Sequence, residues 1–289
     1  MGTQHIETLV IGAGQAGLST GYHLQRLGRR FLIVDGNERV GDIWRHQWDT
    51  LQLYTPAKYD GLPGLRFPAA PWTFPGKEQV ADFLESYALH FDLPVRMSTR
   101  VDRLDARPDG VFVATLGDST VTCDNVVVAT GTFGRTPSVP SFAGDLDPSI
   151  RQLHSSEYRR PTQLQDGPVL VVGASHSGCD IAYELAETRR TILCGRDCGQ
   201  MPLRLESRAM RMAFPVLVFL VRHVITRRTP IGRKAMEKIR SHGGPMLRVR
   251  LRAPPGLSDR RCRQVTGQIG GLGSHDCQPA LVLAVGVFM

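Results

Sequence analysis

Two stretches of this chain repeat one another. "TLVIGAGQAGLSTGYHLQRLGRRFLIVDG" (8–36) and "VLVVGASHSGCDIAYELAETRRTILCGRD" (169–197) align at an offset of 161 residues, matching Val10 with Val171, Ala13 with Ala174, Leu24 with Leu185 and Arg29 with Arg190. Each opens on a short apolar run with the character of a buried parallel strand. Each then passes a turn of small residues, continues with helical spacing and closes on a second apolar run. A unit of this order covers one face of a sheet with a helix. Its duplication in 289 residues predicts two α/β units rather than one large core.

The turns carry the chemistry. In the first, Gly12 permits the sharp exit from the strand, Gly14 leaves room for a pyrophosphate beside the backbone, and Gly17 lets the helix lie close to the strand. Gln15 and Ala16 fill the turn, and the positive end of the helix faces the phosphates. Asp35 follows 23 residues after Gly12, at the carboxyl end of the second strand, where it can accept hydrogen bonds from a ribose diol. The second turn has Gly173, Ser175 and Gly178 with His176 and Ser177 between them, and Arg196 comes 23 residues after Gly173. A carboxylate about 4 Å from a phosphate is repelled by roughly 4 kcal/mol at an effective dielectric near 20, and a guanidinium is attracted comparably. Asp35 therefore suits the adenosine ribose of FAD. Arg196, with Arg189 or Arg190 beside it, suits the 2'-phosphate of NADPH. The expected fold is α/β, with two Rossmann-like dinucleotide-binding domains. Between them "PVRM", "STRVDRL", "GVFVATL" and "TVTCDNVVVATG" read as a small β-meander insertion.

Five motifs in order ("GAGQAG", "VGDIWRHQWDTLQLYTPAKYDGLPG", "ATGTFGRTPSVP", "FAGDLDPSIRQLHSSEY" and "GASHSG") resemble the class B flavin-dependent monooxygenases over about residues 5–250. The likeness is to the flavin-containing monooxygenases and their small bacterial relatives, with a glutathione-reductase-like fold. It implies FAD on Gly12 to Gly17 and Asp35, with adenine near the backbone of Val101, the ring near Gly41, Asp42 and Trp44, and Thr130 and Gly131 at the next strand end. NADPH would reduce the flavin, and dioxygen activated at its C4a position would pass one oxygen to a small organic substrate. No acid or base is needed, and the catalytic residues stay unassigned. Trp44 and Trp48 read equally as flavin neighbours or core aromatics, and His154 reads as structural. Pro148, Ile150 and Tyr158 depart from the Baeyer-Villiger pattern, and Pro56 stands near where many flavin-containing monooxygenases carry an Asn.

The formal charge of +8 comes from 35 basic residues, 31 of them Arg and scattered, which argues against a nucleic-acid partner. No export signal precedes the first strand, so a cytoplasmic protein is expected. Six Cys without a CxxC exclude a thioredoxin-reductase-type disulfide and a zinc site, and no metal is expected; Cys194 and Cys198 read as reduced thiols. The basic apolar segment 211–240 reads as a helical excursion packed within the second domain, interrupted at Pro215 and Pro230, with membrane-surface contact the less favoured reading. Oligomeric state is left open. The expected domains are 1–160 for FAD, 161–253 for NADPH, and a divergent, poorly ordered tail at 254–289. The tail reads as the product of a changed reading frame, leaving the FAD domain without its returning segment. The same cofactors without a sealed cavity imply an NADPH oxidase, and a chain without turnover a nucleotide-binding remnant.

Overall fold

The computed structural model describes residues 4–131, 137, 139–195, 199–242, 246–248, 262–265 and 281–284, with 238–242 and the last two segments described by backbone alone. The chain divides into two compact units, Met1–Gln47 with Leu51–Arg135, and Trp48–Thr50 with Thr136–Met289.

The first unit contains β1 (Gln4–Ile11), α1 (Gln15–Arg26), β2 (Phe31–Val34), α2 (Asp42–Arg45), α3 (Lys77–His90), β3 (Val95–Arg96), β4 (Arg103–Ala106), β5 (Phe112–Leu116) and β6 (Ser119–Val128). They build a six-stranded sheet in the order β3-β2-β1-β6-β5-β4. β3, β2, β1 and β6 run parallel, while β6, β5 and β4 form an antiparallel meander. The meander is thus a continuation of the nucleotide sheet. The single strand β6 pairs with β5 over Ser119 to Cys123 and with β1 over Val121 to Val128.

Apolar side chains on one face of this sheet join those of α1 and α3 in one core. Val10, Leu18, Ile33, Phe83, Leu84 and Tyr87 are buried there. Gly21 brings α1 down onto β2, since a Cβ at that position would lie 2.8 Å from Cδ1 of Ile33. The rings of Tyr22, Tyr87 and Phe91 meet edge to face at 4.8 and 4.9 Å. The buried Tyr87 hydroxyl donates to the Pro63 carbonyl at 2.6 Å, tying α3 to the loop before it.

The second unit contains β7 (Arg151–His154), β8 (Val169–Val172), α4 (His176–Ala186), β9 (Thr191–Cys194), α5 (Arg208–His223), α6 (Pro230–His242), β10 (Cys262–Val265) and β11 (Leu281–Ala284). Its sheet order is β10-β9-β8-β11-β7, parallel except for β10 at the edge. Two sequence expectations change here. The division falls after Arg135 rather than at 160, because β7 pairs within the second sheet and Asp49 donates its amide to the Arg159 carbonyl at 2.8 Å. The stretch read as an aperiodic tail supplies β10 and the interior strand β11, whose "LVLA" is an apolar run long enough for one strand and too short to show a period. Pro215 lies inside α5 without ending it, and Pro230 opens α6. Cys194 is disulfide-bonded, not the reduced thiol that its spacing implied. Cys198 lies outside the described residues.

Replacing Tyr87 by Phe removes one buried hydrogen bond and leaves the Pro63 carbonyl unpaired. The expected loss is about 1 kcal/mol, read as a lower urea midpoint at unchanged slope.

Candidate functional site

The two glycine turns share one geometry. Gly12 has φ +110° and Gly173 φ +112°, values a side chain rarely adopts. Each donates its amide across the sheet at 2.7 Å, Gly12 to the Val34 carbonyl and Gly173 to that of Cys194. A Cβ on Gly12 would lie 2.3 Å from the Ala129 carbonyl oxygen, so the turn also seats itself against the end of β6, beside Thr130. A Cβ on Gly17 would fall 1.8 Å from the Gly12 carbonyl oxygen, which is why the helix can start so close to the strand.

Both helices begin without a cap. Gly14 (φ −80°, ψ −175°) and Ser175 (φ −92°, ψ −175°) hold the N-cap positions in the same extended conformation. Neither helix has a side-chain cap or an acidic residue in its first turn. α5, in contrast, is capped by Ser207, which accepts from the Met210 amide at 3.1 Å. The N–H groups of the first turn of α1 are left for an anion. A Cβ at Gly14 would meet nothing within 4 Å, so the space beside that turn is open, as a diphosphate requires. Because Gly14 has an ordinary φ, Ser175 takes its place in the second copy without strain. Gln15 and Ala16 are exposed at the head of α1, while Ser177 and Gly178 are buried beneath α4.

Asp35 is held ready at the end of β2. Its Oδ2 accepts the Ala13 amide at 2.7 Å, and its Oδ1 accepts the amide and the side-chain Nδ2 of Asn37 at 2.9 and 2.8 Å. The Asp35 carbonyl accepts from the Thr99 amide at 2.7 Å, which brings the strand leading to Val101 alongside. With one hydrogen bond accepted, Oδ2 retains acceptor capacity for a ribose hydroxyl.

The second copy differs by one residue from what the offset implied. Ile11 pairs with Val34, but Val172 pairs with Cys194, so the residue that follows β9 in the place of Asp35 is Gly195. The cause is a deletion between helix and strand, where α4 has 11 residues against 12 in α1. A Cβ on Gly195 would lie 2.4 Å from the amide nitrogen of Ala174, the counterpart of the Ala13 amide that Asp35 accepts. Glycine therefore stands where the first unit has a carboxylate. Arg196 follows it in sequence and lies outside the described residues. Arg189 is committed elsewhere, donating to the carbonyls of Gln165 at 2.9 Å and Pro161 at 3.2 Å.

Gly41, Asp42 and Trp44 are partly spent on structure. Gly41 lies so close to α3 that a Cβ would fall 2.5 Å from the Ala81 carbonyl oxygen. Asp42 accepts the Arg39 amide at 2.9 Å and pairs with Arg45 at 3.2 Å, while Arg45 also reaches Asp82 and Glu85 at 2.9 Å. Trp44 packs half-buried against the core of the first unit, whereas Trp48 is buried and groups with the second. Thr130 and Gly131 are exposed just beyond β6.

Two features escaped sequence reasoning, Asp60 and the Tyr158–Glu184 pair. Asp60, at the end of the short turn Ala57–Tyr59, is half-buried with Thr55 donating to Oδ1, while its buried Oδ2 has no hydrogen-bond partner. Burial pushes its carboxyl up to about 6. In the second unit, the fully buried Tyr158 donates to Glu184 at 2.8 Å, and burial raises both groups above their ordinary values. His154 is buried and held down in pKa by desolvation, against the opposing charge of Glu157. The Ser156 amide donates to its Nδ1 at 3.2 Å, so the neutral ring carries its proton on Nε2. No signal of spacing marks the first two, since each depends on what packs around it.

Comparison with known proteins agrees with this geometry. A model of the family described as pyridine nucleotide-disulphide oxidoreductase matches residues 9–198. An uncharacterised CzcO-like oxidoreductase of Geobacillus kaustophilus is 41% identical over 76% of this chain and 64% of its own length. The probable indole-3-pyruvate monooxygenase YUCCA9 of Arabidopsis thaliana is 31% identical over 62% of this chain and 44% of its own. The solved flavin-containing monooxygenase of Stenotrophomonas maltophilia superposes with a TM-score of 0.67 at 25% identity, over 99% of this chain and 79% of that one. The chain thus spans less than two thirds of the length of these curated relatives.

The Asp60 carboxyl gives a pH test. Folding raises its pKa from 3.8 to about 6, so the native state keeps a proton that the unfolded chain has lost within that window. Its contribution to stability is present at the acid end and is lost as pH rises through about 6. Relative to the parent, Asp60→Asn should gain in melting temperature between pH 4 and 7, measured by thermal scans across that range.

Proposed function

The chain belongs to the pyridine nucleotide-disulphide oxidoreductase family, and from that premise we propose that it is an FAD-dependent, NADPH-using monooxygenase acting on a small organic substrate. One observation carries the reading: after their second strands the two units differ, Asp35 in the first and Gly195 followed by Arg196 in the second.

FAD fits the first unit. The uncapped turn at Gly12, Gly14 and Gly17 would hold its diphosphate and Asp35 its ribose. Val101, Thr130 and Gly131 lie on the segments that flank that turn and strand, and Gly41, Asp42 and Trp44, at the start of α2, would lie toward the ring. NADPH fits the second, with its diphosphate at Gly173, Ser175, His176, Ser177 and Gly178. When bound, FAD would supply the redox chemistry, taking electrons from the nicotinamide and delivering them to dioxygen.

The residues of this chain orient and discriminate. Asp35 is already fixed by Ala13 and Asn37, so receiving a ribose costs little further ordering. Gly195 puts no carboxylate near the second nucleotide, which removes the roughly 4 kcal/mol repulsion that a 2'-phosphate would meet about 4 Å from such a group. Arg196 adds an attraction of comparable size before screening.

The purified chain should carry the visible absorption band of oxidised flavin, bleached by NADPH without air and restored by air. Asp35→Ala should lower FAD affinity by roughly tenfold or more, as expected for loss of hydrogen bonds to a charged group. Arg196→Ala should raise the KM for NADPH on the order of tenfold while leaving that for NADH nearly unchanged. An unaltered NADPH preference in that variant would sink the assignment.

A further inference from the structure

Helix α5 turns an apolar stripe to the solvent. Met210 and Phe214 are its buried residues. On the opposite side Met212, Val216 and Phe219, spaced i, i+4 and i+7, are 80%, 59% and 58% exposed. By the same helical spacing Arg208 and His223 continue the line of this stripe at its two ends, and Arg211 and Arg222 follow one edge. The rings of Phe219 and His223 touch at 4.8 Å. A water-facing helix surface is ordinarily polar, so the exposed side of α5 has the composition of a covered face framed by guanidinium groups.

The charge distribution points the same way. Residues 204–240 hold ten Lys and Arg against two Glu, a balance of +8 equal to the formal net charge of the whole chain. Arginine is scattered through the sequence, but its excess over acid is concentrated around α5 and α6. Arg211, Arg222, Arg227, Arg228, Arg233 and Lys234 are all exposed.

We infer that α5 is a surface-lying membrane-contact helix, and that its occupant is an anionic lipid surface. Met212, Val216 and Phe219 enter the boundary between headgroups and acyl chains, while the arginines around them pair with lipid phosphates. At 16 residues, with Pro215 in its interior, the helix lies along the surface and does not cross, and among the described residues no helix is long and apolar enough to do so. A second copy of this chain fits the face poorly, because it would bring two basic clusters together. A nucleic acid would engage the arginines and leave the apolar stripe without a role. The inference goes beyond the proposed redox function and does not depend on it.

Flotation of the full chain with lipid vesicles tests it. With vesicles containing about one third phosphatidylglycerol in phosphatidylcholine, at low salt, the bound fraction should exceed that with phosphatidylcholine alone by roughly tenfold, and high salt should release it. The pair Val216→Asp and Phe219→Asp should reduce binding about tenfold with an unchanged circular dichroism spectrum, since both side chains are exposed. Arg211→Ala with Arg222→Ala should reduce it separately, with the apolar stripe intact. The inference is overturned by absence of binding to anionic vesicles, by aspartate variants that float like the parent, or by aspartate variants that only convert a dimer to a monomer.

Discussion

The hydrogen bond from the turn glycine to the last carbonyl of the neighbouring strand governs both halves of this molecule. It forces a positive φ, so that no residue but glycine is at ease there, and it fixes where the following helix starts. With the turn set, α1 and α4 both start without a side-chain cap. The site is thus a by-product of the fold. Its donors exist because neither N-cap residue, Gly14 or Ser175, turns a side chain onto the helix start.

What distinguishes the units is a single position measured from that same bond. In the first, the residue after the accepting carbonyl carries a carboxylate that reaches back to the turn and is braced by Asn37. In the second, glycine lies directly against the equivalent amide and the cation comes one residue later. Chain length between helix and strand, not substitution alone, has set the electrical character of the two nucleotide ends.

Much of this was legible in the sequence. Gly12, Gly17 and Asp35 could be read because steric and hydrogen-bonding demands at those places leave almost no alternative residue, and both α/β units follow from their repetition. The shortened link before β9 was hidden, because Arg29 and Arg190 align well at the longer offset and only strand pairing shows the slip. The pairs that Arg45 makes with Asp82 and Glu85 could not be foreseen, since they depend on the neighbouring helix α3. Periodicity marked α5 as amphipathic but could not say which of its faces would be covered. The four residues of β11 were too few to rise above the glycine- and proline-rich stretch around them.

The long strand β6 has a bearing on how the first unit breathes. Its ladders join the meander to the parallel strands, and Val121 to Cys123 are paired on both edges at once. Peeling β5 away therefore exposes the flank of the strand against which the nucleotide turn rests. Fluctuations of the two halves are mechanically coupled, and amide deuteration should find them opening as one cooperative block rather than as a rigid cradle with a loose appendage.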